Sequence, residues 1–503
     1  MIEELVAEAI IDPALRRAAV ARVLPEEVEA VVHGIDPVGP GSRSQPADGD
    51  GDHGVLARGT GVSPGWGTGR VCRSSEEALD AWDAGDEVVL VVTETRPVDE
   101  PAMRVSAGIV TERGGPASHA AVVARDLGVP AVCGTGPLDL SSGQVVTVDG
   151  STGVVRSAEL EPHAGARSRQ AAVAEAGSAV LPAALSTLLG WADEIAESHL
   201  RVLANADRGE SARLARAFGA RGVGLCRVEH VFLGPQTSLV GAVLDGDAGA
   251  LEPFAAHLAA TLVEVLEAFD GLPVTIRLLD APAHEFGGPV EHDPMLGLRG
   301  VRAALCSPDL MTAQVTAVLE ASSTRRAAGG DPRPRLLLPM VAHSAEVAHA
   351  RDLIAETAPD LEVGAMIETP RAALTAGGIA PHADFLSFGT NDLTQLTWGW
   401  SRDDLDARLL PVYETMGVID VNPFVRLDLD GVGRLIAAAI AGARSTVPGI
   451  AAGICGEHGG DPGSVAAALV LGIDSVSCSP YRVPVARLAA AHAALASAGA
   501  GGE

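Results

Sequence analysis

Between residues 199 and 495, short apolar runs alternate with longer stretches of helical spacing. Eight runs read as strands: Val202–Asn205, Gly222–Cys226, Val274–Leu278, Arg335–Pro339, Val363–Ile367, Phe385–Phe388, Ala451–Ile454 and Ser475–Cys478. Runs of this kind are expected to be buried on both faces, as parallel strands covered by helices are. Eight of them with helices between predict a (β/α)8 TIM-type barrel at 199–495. Upstream, residues 54–160 hold shorter strand candidates, Gly69–Cys72, Val88–Val92, Gly108–Val110 and Val145–Val148, separated by helices and Gly/Pro turns. They predict a small α/β domain, so the chain as a whole reads as α/β. Residues 1–38 predict short helices, Glu3–Ile11, Pro13–Leu24 and Pro25–His33. The Gly/Pro/Ser/Asp-rich stretch 39–53 predicts a flexible linker, the alanine-rich 161–198 a helical connector, and 496–503 a tail.

A chain of 503 residues with 47% hydrophobic positions is long enough for about three domains with sizeable cores. The net charge of −29 argues against nucleic acid or an anionic membrane surface as partner. An anionic ligand must therefore be held locally, by arginine and metal. The sequence contains no lysine, so every one of its 36 Lys+Arg residues is arginine. That excludes a Walker-type phosphate loop and lysine Schiff-base chemistry. The six cysteines are scattered without a C-x-x-C pair, which predicts reduced thiols and no zinc site. No uninterrupted apolar run is long enough for a membrane span, and the acidic opening Met1-Ile2-Glu3-Glu4-Leu5 is unlike a signal peptide. A cytoplasmic location is expected.

The most informative stretch is Gly114-Gly115-Pro116-Ala117-Ser118-His119, which runs into an apolar helical segment ending at Arg125. This layout puts His119 in the first turn of a helix, where unpaired backbone N–H groups and the helix dipole favour an attached anion. Ser118 is a candidate cap, and the glycines allow close backbone approach. Neutral imidazole is a competent nucleophile near pH 7. The pattern points to a histidine that carries a phosphoryl group.

In the barrel region most strands end on polar or charged groups: Asn205 with Asp207, Arg227, Arg277, Glu368, Asn391 with Asp392, and Cys455 with Glu457. Catalytic groups of such barrels gather at the C-terminal strand ends. Glu368 and Asp392 supply hard oxygen ligands suited to Mg²⁺. Arg227 and Arg277 offer planar forks for phosphate or carboxylate. Asn391 can donate to a phosphate oxygen, and Arg402 lies on the loop that follows. Cys455 reads either as a proton donor or as a buried structural cysteine. Together these groups suit a small phosphorylated carboxylate, with His119 visiting from its own domain. The Gly61–Gly69 stretch is glycine-rich but reads as a turn entering a strand. Cys455 and His458 resemble a metal pair by spacing alone.

The motifs resemble those of the phosphoenolpyruvate-utilising enzyme family. The segments are 111–125 around Gly-Gly-Pro-Ala-Ser-His, 222–230 (Gly-Val-Gly-Leu-Cys-Arg-Val-Glu-His), 276–286, 294–302, 366–375 (Met-Ile-Glu-Thr-Pro), 387–395 (Ser-Phe-Gly-Thr-Asn-Asp-Leu-Thr-Gln), 453–460 and 477–484. The resemblance implies a swivelling phosphohistidine domain at 54–160 followed by a barrel that binds phosphoenolpyruvate or pyruvate with Mg²⁺. By position, His119 resembles the phosphorylated histidine, and Arg227 and Arg277 the substrate-phosphate arginines. Glu368 and Asp392 resemble the metal ligands, Asn391 and Arg402 further phosphate contacts, and Cys455 the acid/base at the methyl carbon of pyruvate. It also implies homodimerisation through the barrel. An ATP-grasp domain, expected ahead of the histidine domain, is not in this sequence, which implies a separate ATP-grasp protein or a phosphocarrier as partner. A non-catalytic phosphoenolpyruvate sensor is the alternative of a different class.

Overall fold

The computed structural model describes residues 1–32, 54–158 and 181–500, apart from 97, 98, 117, 234, 235, 281, 283–285, 287–290, 294 and 406–408. The linker expected at 39–53, the part of the connector at 161–180 and the last residues of the tail, 501–503, lie outside the described residues. The chain divides into two compact units: Met1–Val23 with Val180–Trp400 and Arg426–Glu503, and Leu24–Ala179 with Ser401–Val425.

In the smaller unit, eight strands form one mixed sheet: β1 (Val55–Arg58), β2 (Thr60–Ser63), β3 (Trp66–Cys72), β4 (Val88–Val92), β5 (Gly108–Thr111), β6 (Ala131–Cys133), β7 (Val145–Asp149) and β8 (Val154–Ser157). Their spatial order is β1-β8-β7-β3-β4-β5-β6-β2, with β3 to β6 parallel and the rest added antiparallel. The two-residue side-chain period of a strand divides the core. Leu90 and Ile109 face one side, with Met103 and the helix residues Ala120, Ala121, Val123 and Ala124. Val89, Val91 and Val110 face the other, with Val146, Val148 and Val155. The helix His119–Leu127 is thus seated on the sheet by its apolar side. Where β3 passes the start of β5 the backbones nearly touch: a Cβ on Gly67 would lie 1.7 Å from the Ala107 carbonyl oxygen.

The larger unit is a closed barrel of eight parallel strands: β9 (Arg201–Asn205), β10 (Val223–Arg227), β11 (Pro273–Arg277), β12 (Arg333–Leu338), β13 (Val363–Ile367), β14 (Phe385–Phe388), β15 (Ala451–Ile454) and β16 (Ser475–Cys478), with β16 pairing back to β9. The expected (β/α)8 fold is the fold observed. The helix Leu251–Ala268 is apolar and long enough to cross a membrane by composition. It instead buries Phe254, Leu258, Leu262, Val265 and Leu266 and packs on the neighbouring helix Pro308–Ala327. The helices Ile2–Ile11 and Arg16–Arg22 join this unit: Arg16 stacks over Trp191 and His492 hydrogen-bonds the Val20 carbonyl at 2.9 Å.

Candidate active site

The loops that follow the barrel strands carry the polar groups, because the strand interiors are taken up by apolar packing. Arg277, the last residue of β11, is buried between two carboxylates. Its guanidinium donates to Glu229 Oε1, and its Nη1 lies 3.1 Å from Asp280 Oδ2. Arg299 grips the same Asp280 with both arms, Nε to Oδ1 and Nη2 to Oδ2, each 2.8 Å. Its Nη1 lies 3.8 Å from Asp392 Oδ1. Burial works against the Glu229 carboxylate, but Arg277, His230 and Arg227 outweigh it and hold its pKa below the ordinary value. Asp207 accepts the Arg227 backbone N–H at 2.6 Å and pairs with His230 Nδ1 at 3.0 Å, so the strand end bearing Arg227 is fixed from beneath. The Arg227 side chain approaches Glu457 at 3.8 Å.

Glu368 follows β13 and is 1% exposed. Its Oε1 accepts the N–H of Met340, a residue held at φ 56°, where a non-glycine side chain is strained by about 1–3 kcal/mol. Gly389 makes room for the other oxygen, since a Cβ there would lie 2.5 Å from Glu368 Oε2. Burial, then the negative charges of Asp392 and Asp280, push the Glu368 pKa up to about 8, although Arg277 and Arg299 pull the other way. A buried carboxylate facing two others is an anionic excess that a hard divalent cation would relieve. Glu368 and Asp392 are hard oxygen donors that could hold the expected Mg²⁺. Glu368→Gln keeps this position neutral at every pH, and its amide oxygen can still accept from Met340. Without metal the variant should melt at the wild-type temperature or a few degrees above, on a scale of about 2–4 °C per kcal/mol. Any stabilisation by Mg²⁺ should disappear, and melts with chelator and with Mg²⁺ decide it.

Cys455, after β15, is buried, with its thiol 3.7 Å from the Phe388 carbonyl. Burial, with the charge of Glu368, pushes the thiol up to about 11, against a lowering hydrogen bond from Ser387, so it holds its proton at neutral pH. Asn205 spans to the Cys455 carbonyl at 3.3 Å and is itself held by Ser477 at 2.6 Å. Asn391 Oδ1 accepts from Glu457 N at 3.3 Å. His458 is fully buried and bonded to Thr390 Oγ1 at 2.7 Å, which gives it a packing role rather than a metal pair with Cys455. Asp280, Arg299 and Glu229 were not singled out from the sequence as site residues. The signal available was the Asp in Arg277-Leu-Leu-Asp280 and the arginine pair at 299 and 302.

In the smaller unit, the turn after β5 leads into the helix His119–Leu127. Gly114, at φ 99°, makes the turn, and a Cβ there would crowd Ser118 at 2.9 Å. Ser118 caps the helix, its Oγ accepting from Ala121 N at 3.4 Å, and Gly128 closes it at φ 64°. His119 is half-buried in the first turn, with Nδ1 2.8 Å from the Thr95 hydroxyl. Arg402 heads a short helix, Arg402–Leu405, that groups with this unit. The structure thus gathers Arg277, Glu368, Asp392 and Cys455 in the barrel, with Arg227 and Asn391 linked through Glu457, while His119 and Arg402 belong to the other unit.

A parallel barrel with arginines and carboxylates on its C-terminal rim, joined in one chain to a mixed-sheet unit with a capped, helix-initial histidine, defines a two-unit α/β protein suited to an anionic ligand. The chain belongs to the PEP-utilising enzyme family: the PEP-binding domain of that family matches residues 183–495 and its mobile domain residues 84–153. Pyruvate, phosphate dikinase of Rhizobium meliloti is 38% identical, covering 95% of this chain and 57% of that protein. The Clostridium symbiosum protein of the same name is 36% identical, with 88% and 55% covered, and pyruvate, phosphate dikinase 1, chloroplastic, of Arabidopsis thaliana is 38% identical, with 88% and 50% covered. The chain spans about half the length of the curated relatives it matches.

Proposed function

We propose that the chain moves a phosphoryl group between His119 and pyruvate/phosphoenolpyruvate, in the manner of a pyruvate, phosphate dikinase. The observation that carries the reading is the barrel rim: a buried, proton-bearing Cys455 beside a carboxylate pair and the buried Arg277. The names of the relatives and the matches to both family domains support it. Arg227 and Arg277 bind the phosphoryl and carboxylate oxygens, with Asn391 and Arg402 as further contacts. The Thr95 hydroxyl pairs with Nδ1 of His119 and orients the imidazole that takes the phosphoryl group. The P–O bond to the enol oxygen breaks as the P–N bond forms, and the Cys455 thiol delivers its proton to the methylene carbon, giving pyruvate. Glu368 and Asp392 would hold Mg²⁺, which would supply positive charge to balance a developing enolate. The donor or acceptor on the other side is an ATP-grasp unit or a phosphocarrier. The protein works as a homodimer through the barrel, in the cytoplasm, where its scattered cysteines stay reduced.

Incubation with phosphoenolpyruvate labelled in the phosphoryl group, plus Mg²⁺, should give acid-labile label on the protein, and added pyruvate should remove it. Binding of phosphoenolpyruvate without labelling would instead favour a sensor. Cys455→Ala should lower deuterium exchange into the methyl group of pyruvate by roughly 10²–10⁴-fold, the range for a lost general acid/base. NMR of the methyl signal reads it, and exchange at the wild-type rate removes Cys455 from the mechanism.

A further inference from the structure

The barrel's other end, where the strands begin, is incompletely filled. Such interiors are usually layered with bulky branched side chains. Here Gly224, Ala451, Gly453 and Ser475 line the space, and a small cavity of about 40 Å³ extends inward to Ser387 and Ser477.

Two arginines line this cavity, Arg201 at the start of β9 and Arg335 in β12. Arg335 Cζ lies over the Phe385 ring, 4.4 Å from its centroid, and Nη2 donates to Thr275 Oγ1 at 2.8 Å. Its Nε is buried with no hydrogen-bond partner. Leaving such a donor unmet costs about 1–3 kcal/mol, more for a charged group. Among the described residues no carboxylate forms an ion pair with either arginine. Burial draws the Arg335 pKa below the ordinary arginine value and repulsion from Arg201 adds to this, while Glu362 opposes it. The result is a local positive excess, with hydroxyls of Thr275 and Ser475 at hand, in a protein of net charge −29. Guanidinium forks and hydroxyls match the oxygens of a tetrahedral dianion.

We propose that this end of the barrel binds a small phosphate dianion, inorganic phosphate or the phosphoryl end of a phosphomonoester, between Arg201 and Arg335. The site is distinct from the rim that holds Arg227 and Arg277, and the proposal stands independently of the phosphotransfer reading.

Equilibrium dialysis of the full chain against labelled inorganic phosphate and, separately, labelled glycerol 3-phosphate tests it. Saturable binding of at least one anion should survive Arg227→Gln and weaken at least tenfold in Arg201→Gln, whose exposed side chain leaves folding untouched. Ala451→Leu, which fills the cavity with carbon, should weaken it likewise. Binding of inorganic phosphate alone assigns the free ion, and binding of glycerol 3-phosphate assigns the ester; either supports the site. Absence of binding of both anions overturns it. So does binding removed only by Arg227→Gln, or binding unchanged in both Arg201→Gln and Ala451→Leu.

Discussion

His119→Ala should leave a folded protein that no longer takes label from phosphoenolpyruvate, a loss on the order of 10⁴-fold or more, the scale seen when a covalent nucleophile is removed. The fold should tolerate the change. The His119 hydrogen bond to Thr95 is worth about 1 kcal/mol, and the Ser118 cap and the apolar face of Ala120, Ala121, Val123 and Ala124 are untouched. Phosphoenolpyruvate binding to the barrel should be retained, because the arginines are unchanged. Label of wild-type intensity on the variant would move the acceptor to another residue and end the proposal for His119.

Arg277→Gln should have the largest effect on stability. It withdraws the cation from Glu229, whose Oε2 already lacks a partner, while Asp280 keeps Arg299. Breaking a buried ion pair from one side costs about 3–5 kcal/mol. In the wild type the Glu229 carboxyl is held below its ordinary value, so its stabilisation is present at neutral pH and is lost as pH falls through that depressed value. In the variant burial dominates and the carboxyl rises, so protonation relieves the strain. The melting-temperature gap between variant and wild type should therefore narrow from pH 7.5 to pH 5. Adding Glu229→Gln should restore most of the loss. A gap independent of pH and unmoved by the second change would mean that Glu229 was never dependent on Arg277. Activity should fall by roughly 10²–10³-fold, as for loss of a preorganised charge at a transition state.

The barrel was legible because its strands are buried on both faces. Val363–Ile367, Phe385–Phe388, Ala451–Ile454 and Ser475–Cys478 have the expected bounds, and the other four shift by one or two residues. In the smaller unit, β4 and β5 were legible for the same reason, and β3 and β7 by alternation of buried with more exposed positions. The rest were not: β6 has three residues, too few to show a period, and β2 is Thr-Gly-Val-Ser, whose glycine reads as a turn. β1 is an edge strand paired with β8 alone, β8 lies between it and β7, and both are half-exposed along their length. At the rim, strand ends pointed to Arg277, Glu368 and Asp392, since a charge closing an apolar run is conspicuous. Asp280 and Arg299 sit on loops 19 positions apart, and only folding brings them within 2.8 Å. His458 drew attention by its spacing from Cys455, yet its partner is Thr390, from another loop.

Closure of the ring by β16 against β9 has a consequence for biosynthesis. All strands of the histidine-bearing sheet have been made by Ser157, whereas β9 waits for Ser475 before its second edge is covered. At about 5–20 residues per second, that wait lasts roughly 15–55 s on the ribosome. Through it a nascent chain presents an uncapped, twisted ribbon of backbone donors and acceptors, the template on which neighbouring chains aggregate. Premature termination before Ser475 should therefore yield insoluble product even though the first domain is complete.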